Sequence, residues 1–246
     1  MALHFISDLH LDEQRPDTSR AFFSYLDHLP ADTEALYILG DFFEVWVGDD
    51  DDLPFHRQIQ QKLKEKTSSG LAIYLMHGNR DFLIGQCFAM HTGILLLPEP
   101  FVLEYHGNCY LLMHGDTLCT ADTEYQQFRA SLRSTTMQAE LLKKPLAERR
   151  MIAKQLRMQS QSANSNKTET IMDVTPDEVI RVMLEQQCQT LIHGHTHRPA
   201  THALSIHGQQ ATRLVLGDWD RQGWEAVLRH EPTGNKLTLT PFPLHA

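Results

Sequence analysis

Cysteine is scarce and scattered. Cys87, Cys109, Cys119 and Cys188 form no C-x-x-C pair. Neither a disulfide framework nor a zinc knuckle is expected, and free thiols fit a reducing cytosol. Long apolar runs are missing too, whereas a membrane-spanning helix needs about 20 such residues. Asp8 interrupts the apolar N-terminal stretch and no basic segment precedes it, so no signal peptide is expected. Positive charge is in deficit, with 22 Lys and Arg against 31 Asp and Glu and a net charge of −9. That balance argues against nucleic acid as a partner. Internal repeats are absent. The remainder, 41% apolar and 22% charged over 246 residues, is a globular composition with room for one body and one insertion.

Histidine is the residue in excess, at fifteen. Several histidines stand in tight polar clusters that follow short apolar runs. Those runs, Leu3–Ser7, Ala35–Leu39, Leu71–Met76, Cys109–Met113, Thr190–Ile192 and Arg213–Leu216, read as buried strands. Phe55, Ile59 and Leu63 make one helical stripe within 55–66. Thr175, Pro176 and Glu178 read as a capping box that opens another helix. Strand–helix alternation predicts an α/β body. The segments 224–229 and 236–240 predict a terminal hairpin around Pro232-Thr233-Gly234. Residues 121–172 break the alternation. Tyr125, Phe128 and Leu132 recur at helical spacing, Pro145 interrupts a second helical pattern, and 160–167 reads as a polar loop. Residues 129–167 hold nine Lys/Arg and two acids, a basic helical insertion on an acidic body.

Five clusters carry the chemistry: Asp8-Leu9-His10, Gly40-Asp41, Gly78-Asn79-Arg80-Asp81, His114-Gly115-Asp116 and Gly194-His195-Thr196-His197. Each follows a predicted strand, and ligands of open α/β sheets bind beyond the carboxyl ends of strands. In extended chain, residues i and i+2 point the same way, so Asp8 with His10 and His195 with His197 could each grip one centre. The glycines permit tight turns and close approach. Imidazole, carboxylate and amide donors without thiolate suit Mn²⁺, Fe²⁺, Co²⁺ or Zn²⁺. The donors suffice for two ions with one shared carboxylate, an arrangement that serves in-line attack on phosphorus. Asp49–Asp52 reads as a solvated acidic loop. His28, His56, His91, His106, His202, His207 and His230 lack ligand-like spacing.

The ordered set D-x-H, G-D, G-N-x-D, H-G-D and G-H-T-H resembles the calcineurin-like metallophosphoesterases. More narrowly, SDLHL, LGDFFEVWVGDD, MHGNRDFL, LMHGDTLCTAD and IHGHTHRP are similar to the UDP-2,3-diacylglucosamine hydrolases of lipid A synthesis. The resemblance implies an α/β fold, a two-sheet β-sandwich flanked by helices, with a helical cap over the site. The body would be 1–120 and 173–246, and the cap 121–172 would form the lipid site. The resemblance also implies two Mn²⁺ per chain. Asp8, His10, Asp41 and His197 would hold one, and Asp41, Asn79, His114 and His195 the other. Substrate contacts carried over are Asn79, Arg80, Asp122, Ser160, Asn164, Lys167 and His195, with Asn79, Arg80 and His195 catalytic. The implied reaction is water attack on the α-phosphorus of UDP-2,3-diacylglucosamine, giving UMP and 2,3-diacylglucosamine 1-phosphate. The implied location is peripheral, on the cytoplasmic side of the inner membrane, against anionic lipid. No obligate protein partner is expected.

Two readings of the residues stand beside the resemblance. Most relatives read G-N-H-[DE] where this chain has Arg80, and arginine cannot serve as an acid. A phosphate-monoester leaving group, with its second pKa near 6, needs no strong acid, and an arginine fork can neutralise its charge. The insertion offers Tyr125, Phe128, Leu132, Met137, Leu141, Leu142, Ile152 and Leu156 as an acyl slot, with Tyr125 and Phe128 the substrate contacts. The surplus cations suit a diphosphate or anionic headgroups. A nucleotide phosphodiesterase or protein phosphatase would need no long apolar cap. A non-catalytic binding scaffold would have lost ligands, and all seven are present.

Overall fold

The computed structural model describes residues 1–164 and 173–244. In chain order the elements are β1 (Ala2–Ile6), α1 (Pro16–Asp27), β2 (Thr33–Leu39), α2 (Pro54–Ser68), β3 (Ala72–Met76), α3 (Gln86–Thr92), β4 (Leu95–Leu97), β5 (Phe101–Tyr105), β6 (Asn108–Met113), α4 (Thr123–Leu132), α5 (Thr135–Leu142), α6 (Leu146–Asn164), α7 (Pro176–Glu185), β7 (Thr190–His193), β8 (Ala200–Ile206), β9 (Gln209–Val215), β10 (Gly223–Glu231) and β11 (Gly234–Phe242). One sheet has the order β11-β10-β1-β2-β3-β4 and the other β5-β6-β7-β9-β8. Strands β1 to β4 are parallel in the first sheet, and β6, β7 and β9 in the second. The terminal hairpin β10–β11 is antiparallel and extends the first sheet beside β1.

Alternation along each strand builds three apolar layers. Leu3 and Phe5, Ala35 and Tyr37, and Tyr110 and Leu112 meet between the sheets. Leu36, Ile38, Ile73 and Leu75 face Phe22 and Leu26 of α1, Ile59 and Leu63 of α2 and Phe88 of α3. Leu111, Met113 and Leu191 face Val179, Val182 and Met183 of α7. Burial on both faces explains why the central strands are continuous apolar runs. Each fully buried Phe or Leu contributes about 1.5–3 kcal/mol. The layers are helices, sheet, sheet and helix, the helix-flanked two-sheet sandwich that the resemblance implies.

Three local expectations change. Thr175 sits at the N-cap of α7 without a side-chain capping bond. Its hydroxyl instead accepts from Thr120 Oγ1 at 2.8 Å, and the Glu178 carboxylate is taken by Arg181. The predicted capping box is therefore not formed. Ser160–Asn164 continues α6 rather than forming a loop. Finally, β4, β5 and β8 were not evident from the apolar runs. β8 alternates half-buried and exposed residues, and β5 is an edge strand. Neither has the long apolar run of a central strand. Among the described residues, none of the helices is long and apolar enough to cross a membrane.

Candidate metal centre and adjoining cavity

The carboxyl ends of the parallel strands of both sheets meet at one edge. The chain does not stay extended there. Asp8, His10, Asp41, His195 and His197 all have left-handed backbone, with φ of 54, 47, 48, 66 and 54°. The extended-chain account of the i, i+2 pairs is thus replaced by left-handed turns. Such conformations are rare for residues with a Cβ and persist where surrounding contacts over-determine them. Those contacts are visible. Asp8 N donates to Gly40 O at 3.1 Å, His10 N to Asp41 O at 3.0 Å and Gly194 N to His114 O at 2.9 Å. Glycine is required where loops touch: a Cβ on Gly78 would lie 2.1 Å from Asp41 N, and one on Gly194 would lie 2.2 Å from Asp8 Oδ2.

The side chains form two groups, Asp8 with His10 and His197, and Asp41 with His114 and His195. Asp41 faces both. Its Oδ1 lies 3.7 Å from His114 Nε2 and its Oδ2 3.8 Å from His10 Nε2. Asn79 Oδ1 lies 3.1 Å from His114 Nε2. Asp8 Oδ2 accepts from Ser7 Oγ at 2.5 Å and His195 N at 2.9 Å. The buried Asp8 Oδ1 has no hydrogen-bond partner, and it points toward His197 Nε2 at 3.3 Å. His10 Nε2 and His197 Nε2 face each other at 3.3 Å. Donors bound to one ion at 2.0–2.2 Å stand about 3–4 Å apart, so the orphaned oxygen and facing nitrogens fit a divalent cation. His114 Nδ1 donates to Leu39 O at 2.9 Å, which leaves Nε2 for the ion.

Electrostatics point the same way. Burial alone would lower the His114 pKa, but Asp41, Asp8, Asp116 and Glu99 together raise it to about 9. His197 likewise reaches about 9 against its burial, through Asp8, Asp218 and Asp41. Burial would raise the Asp8 pKa, yet His197, His114 and His10 hold it well below the usual carboxylate range. His195 is driven down to about 4, first by burial and then by His114. The pocket holds more carboxylate charge than its neutral imidazoles can balance, and a cation can replace the protons that would otherwise fill it.

Beside this edge lies a cavity of about 290 Å³. Asn79, Arg80 and Tyr125 are among its lining residues. Arg80 N donates to Asp41 Oδ1 at 2.8 Å, and its buried Nε has no partner. Phe128, Leu132, Leu141, Ile152, Leu156 and Ser160 line it from α4 to α6. Val45, Trp46, Val47, Phe82 and Leu83 line it from the body, a wall the sequence reading missed. Met137 and Leu142 lie outside the lining and are exposed. Asp122 is also outside it; its carboxylate accepts from Tyr125 N at the start of α4. Lys167 and the side chain of Asn164 lie outside the described residues.

Other functional groups carried weaker signals. Asp218 Oδ2 lies 3.5 Å from His197 Nδ1; it stands in Gly217-Asp218 after β9, repeating the Gly40-Asp41 pattern. Glu44 lies 2.8 Å from His10 Nδ1, without a motif of its own. Asp116, fully buried, accepts from Tyr125 Oη at 2.8 Å and Arg129 Nε at 2.6 Å and so fastens α4 to the His114 loop. The stretch 49–52 is not a free acidic loop. Asp49 accepts from Gly85 N and Phe88 N, while Asp50, Asp51 and Asp52 pair with Arg149 and Arg150 of α6. Sequence distance concealed these pairs.

Comparison with known proteins agrees with this geometry. Two proteins named UDP-2,3-diacylglucosamine hydrolase are similar along nearly the whole chain. The one from Cellvibrio japonicus (strain Ueda107) is 56% identical over 220 residues, 89% of this chain and 92% of its own length. The one from Pseudomonas aeruginosa (strain UCBPP-PA14) is 52% identical over 244 residues, 99% and 100% of the two lengths. The calcineurin-like phosphoesterase family model matches residues 1–199. That span takes in every strand end described above except the one bearing Asp218, and the chain belongs to the calcineurin-like phosphoesterase family.

Proposed function

We propose that this chain is a metal-dependent hydrolase that cleaves the pyrophosphate bond of UDP-2,3-diacylglucosamine, giving UMP and 2,3-diacylglucosamine 1-phosphate in lipid A biosynthesis. The observation that carries the reading is the continuity of the cavity. Its lining joins Asn79 and Arg80, beside the metal-ligand groups, to Phe128, Leu132, Leu141, Ile152 and Leu156. A diphosphate joined to acyl chains needs both kinds of lining. The names of the similar proteins favour the same substrate.

Asp8, His10, Asp41 and His197 would hold one ion, and Asp41, Asn79, His114 and His195 the other, with manganese our choice of metal. Two bound divalent ions would supply Lewis-acid charge for in-line displacement at phosphorus. The chain's own groups do the rest. Asn79 and Tyr125 orient the headgroup. Arg80, whose Nε is unpartnered, neutralises charge on the leaving phosphate. His195 stays neutral, as its depressed pKa of about 4 requires, and offers a lone pair rather than a proton. Residues 121–172 act as a cap on a body of 1–120 and 173–246, and Ser160, Asn164, Lys167 and Asp122 are its polar substrate contacts in this reading. Exposed Met151 and Met158 on α6, beside Lys154, support peripheral attachment to an anionic inner-membrane surface.

The test is hydrolysis of UDP-2,3-diacylglucosamine by manganese-loaded protein in ¹⁸O water. Label in UMP is expected. Label in the lipid phosphate would move the attack to the other phosphorus, and no turnover would refute the substrate.

A further inference from the structure

Glu44 stands three residues beyond Asp41 on the loop that leaves β2, and it is buried. Backbone bonds fix its place. Leu11 N donates to Phe42 O at 2.9 Å and Glu44 N to Leu11 O at 3.1 Å, so the loops after β1 and β2 run side by side past the sheet. This register sets Glu44 Oε2 at 2.8 Å from His10 Nδ1. The other oxygen, Oε1, faces a different part of the molecule. It lies 3.1 Å from Arg157 Nε and 3.9 Å from Arg80 Nη1. Arg157 belongs to α6 and also approaches Asp12 Oδ2 of the β1 loop at 3.7 Å.

We propose that Glu44 is a positioning residue that fixes His10 toward its ion and, through Arg157, couples the seating of helix α6 to that ion site. A carboxylate at Nδ1 sets both the tautomer and the ring orientation of a ligating histidine, leaving Nε2 free to bind. Glu44 offers one oxygen there, at ion-pair distance from a buried Nδ1 that no aligned hydrogen bond occupies. A glutamate side chain has several rotamers, and the second oxygen is held by a residue of the cap. When α6 is seated, Arg157 keeps Glu44 in the rotamer that orients His10. When the ion site is filled, the ordered His10 and Glu44 in turn hold Arg157. Coupling of this kind is reciprocal, so each event strengthens the other by the same factor. His114, in the second group, is oriented by the Leu39 carbonyl instead. The coupling therefore belongs to one ion of the two.

The inference rests on the two-ion reading, and the experiment separates the two. Mn²⁺ alone is titrated calorimetrically into the parent protein, Glu44→Gln, Arg157→Gln and the double variant, with folding checked by circular dichroism. The parent should bind two ions. Glu44→Gln should weaken one of them by roughly 10- to 100-fold, the usual effect of losing such a partner, and leave the other unchanged. Arg157→Gln should weaken the same ion by a smaller factor and add nothing in the Glu44→Gln background. Amide exchange across 146–157 should slow on adding Mn²⁺ in the parent and not in Glu44→Gln. Unchanged affinity in Glu44→Gln, or an Arg157→Gln effect that persists in the double variant, would overturn the inference alone. A parent that binds fewer than two ions would overturn the two-ion reading and the inference with it. Arg157 is partly exposed, so its variant carries the test if Glu44→Gln fails to fold: an unchanged Mn²⁺ affinity in Arg157→Gln is then the refuting result.

Discussion

Arg149 of α6 grips both carboxylate oxygens of Asp50. Its Nη1 lies 2.8 Å from Oδ1 and its Nη2 pairs with Oδ2. The same guanidinium donates through Nε to Lys144 O at 3.0 Å and is almost wholly buried. The fork therefore fastens α6 to the segment that supplies Trp46 and Val47 to the cavity wall.

Arg149→Ala should loosen α6 without disturbing the Asp8 and Asp41 groups. Hydrogen bonds to charged groups contribute about 1.5–3 kcal/mol. The lower end applies, because the Asp50 carboxylate is 62% exposed and can rehydrate. Amide exchange in α5 and α6 should quicken, KM for a long-chain substrate should rise, and a small chromogenic diester should be cleaved as before. Parental exchange rates in the variant would show that the fork is not a fastening.

Acid should release the same contact. Arg149 lowers the Asp50 pKa below its ordinary 3.8. Burial would raise the Asp51 value, but His56 and Arg150 outweigh it and lower that one too. A depressed folded-state pKa means that the contribution is full above about pH 4 and is lost as pH falls through the folded value. Exchange across α6, corrected for intrinsic rates, should therefore accelerate below the ordinary carboxylate pKa. Equal protection of α6 at pH 3 and pH 6 would contradict the linkage.

Asp41 reaches toward both groups, so Asp41→Ala should remove a donor from each. Metal analysis should fall from two ions toward none, and turnover should become undetectable. Retention of one tightly bound ion would show that the carboxylate serves a single site.

Arg80→Ala should lower turnover by roughly 10²-fold, as removal of an electrostatic donor commonly does, with metal content unchanged. Arg80→His should not restore cleavage of the UDP lipid, though it should improve hydrolysis of simple phosphodiesters. Parental protein that already cleaves alkyl phosphodiesters as fast as the lipid would defeat the leaving-group argument.

The central strands were legible because they are buried on both faces. Ala35–Leu39 and Cys109–Met113 have no polar interruption. The edge strand β8 was not, since Thr201, His202 and Ser205 interrupt its apolar residues. The metal-ligand types could be read from D-x-H and H-x-H. The backbone that presents them could not, because left-handed turns at Asp8 and His197 depend on loops from other strands. Pairs such as Asp51–Arg150 and Glu44–Arg157 were hidden for the same reason. Each partner looks like an ordinary surface charge until the fold joins segments about a hundred residues apart.

The left-handed turns carry a consequence for how this protein tolerates change. A side chain in that conformation costs of order 1 kcal/mol relative to glycine. Five such positions cluster at the metal edge. Selection for stability alone would place glycine at several of them, while binding requires imidazole or carboxylate. A search for heat-resistant variants should therefore find His10→Gly or His197→Gly among folded, more robust and inactive proteins. The metal edge is where stability and activity pull in opposite directions.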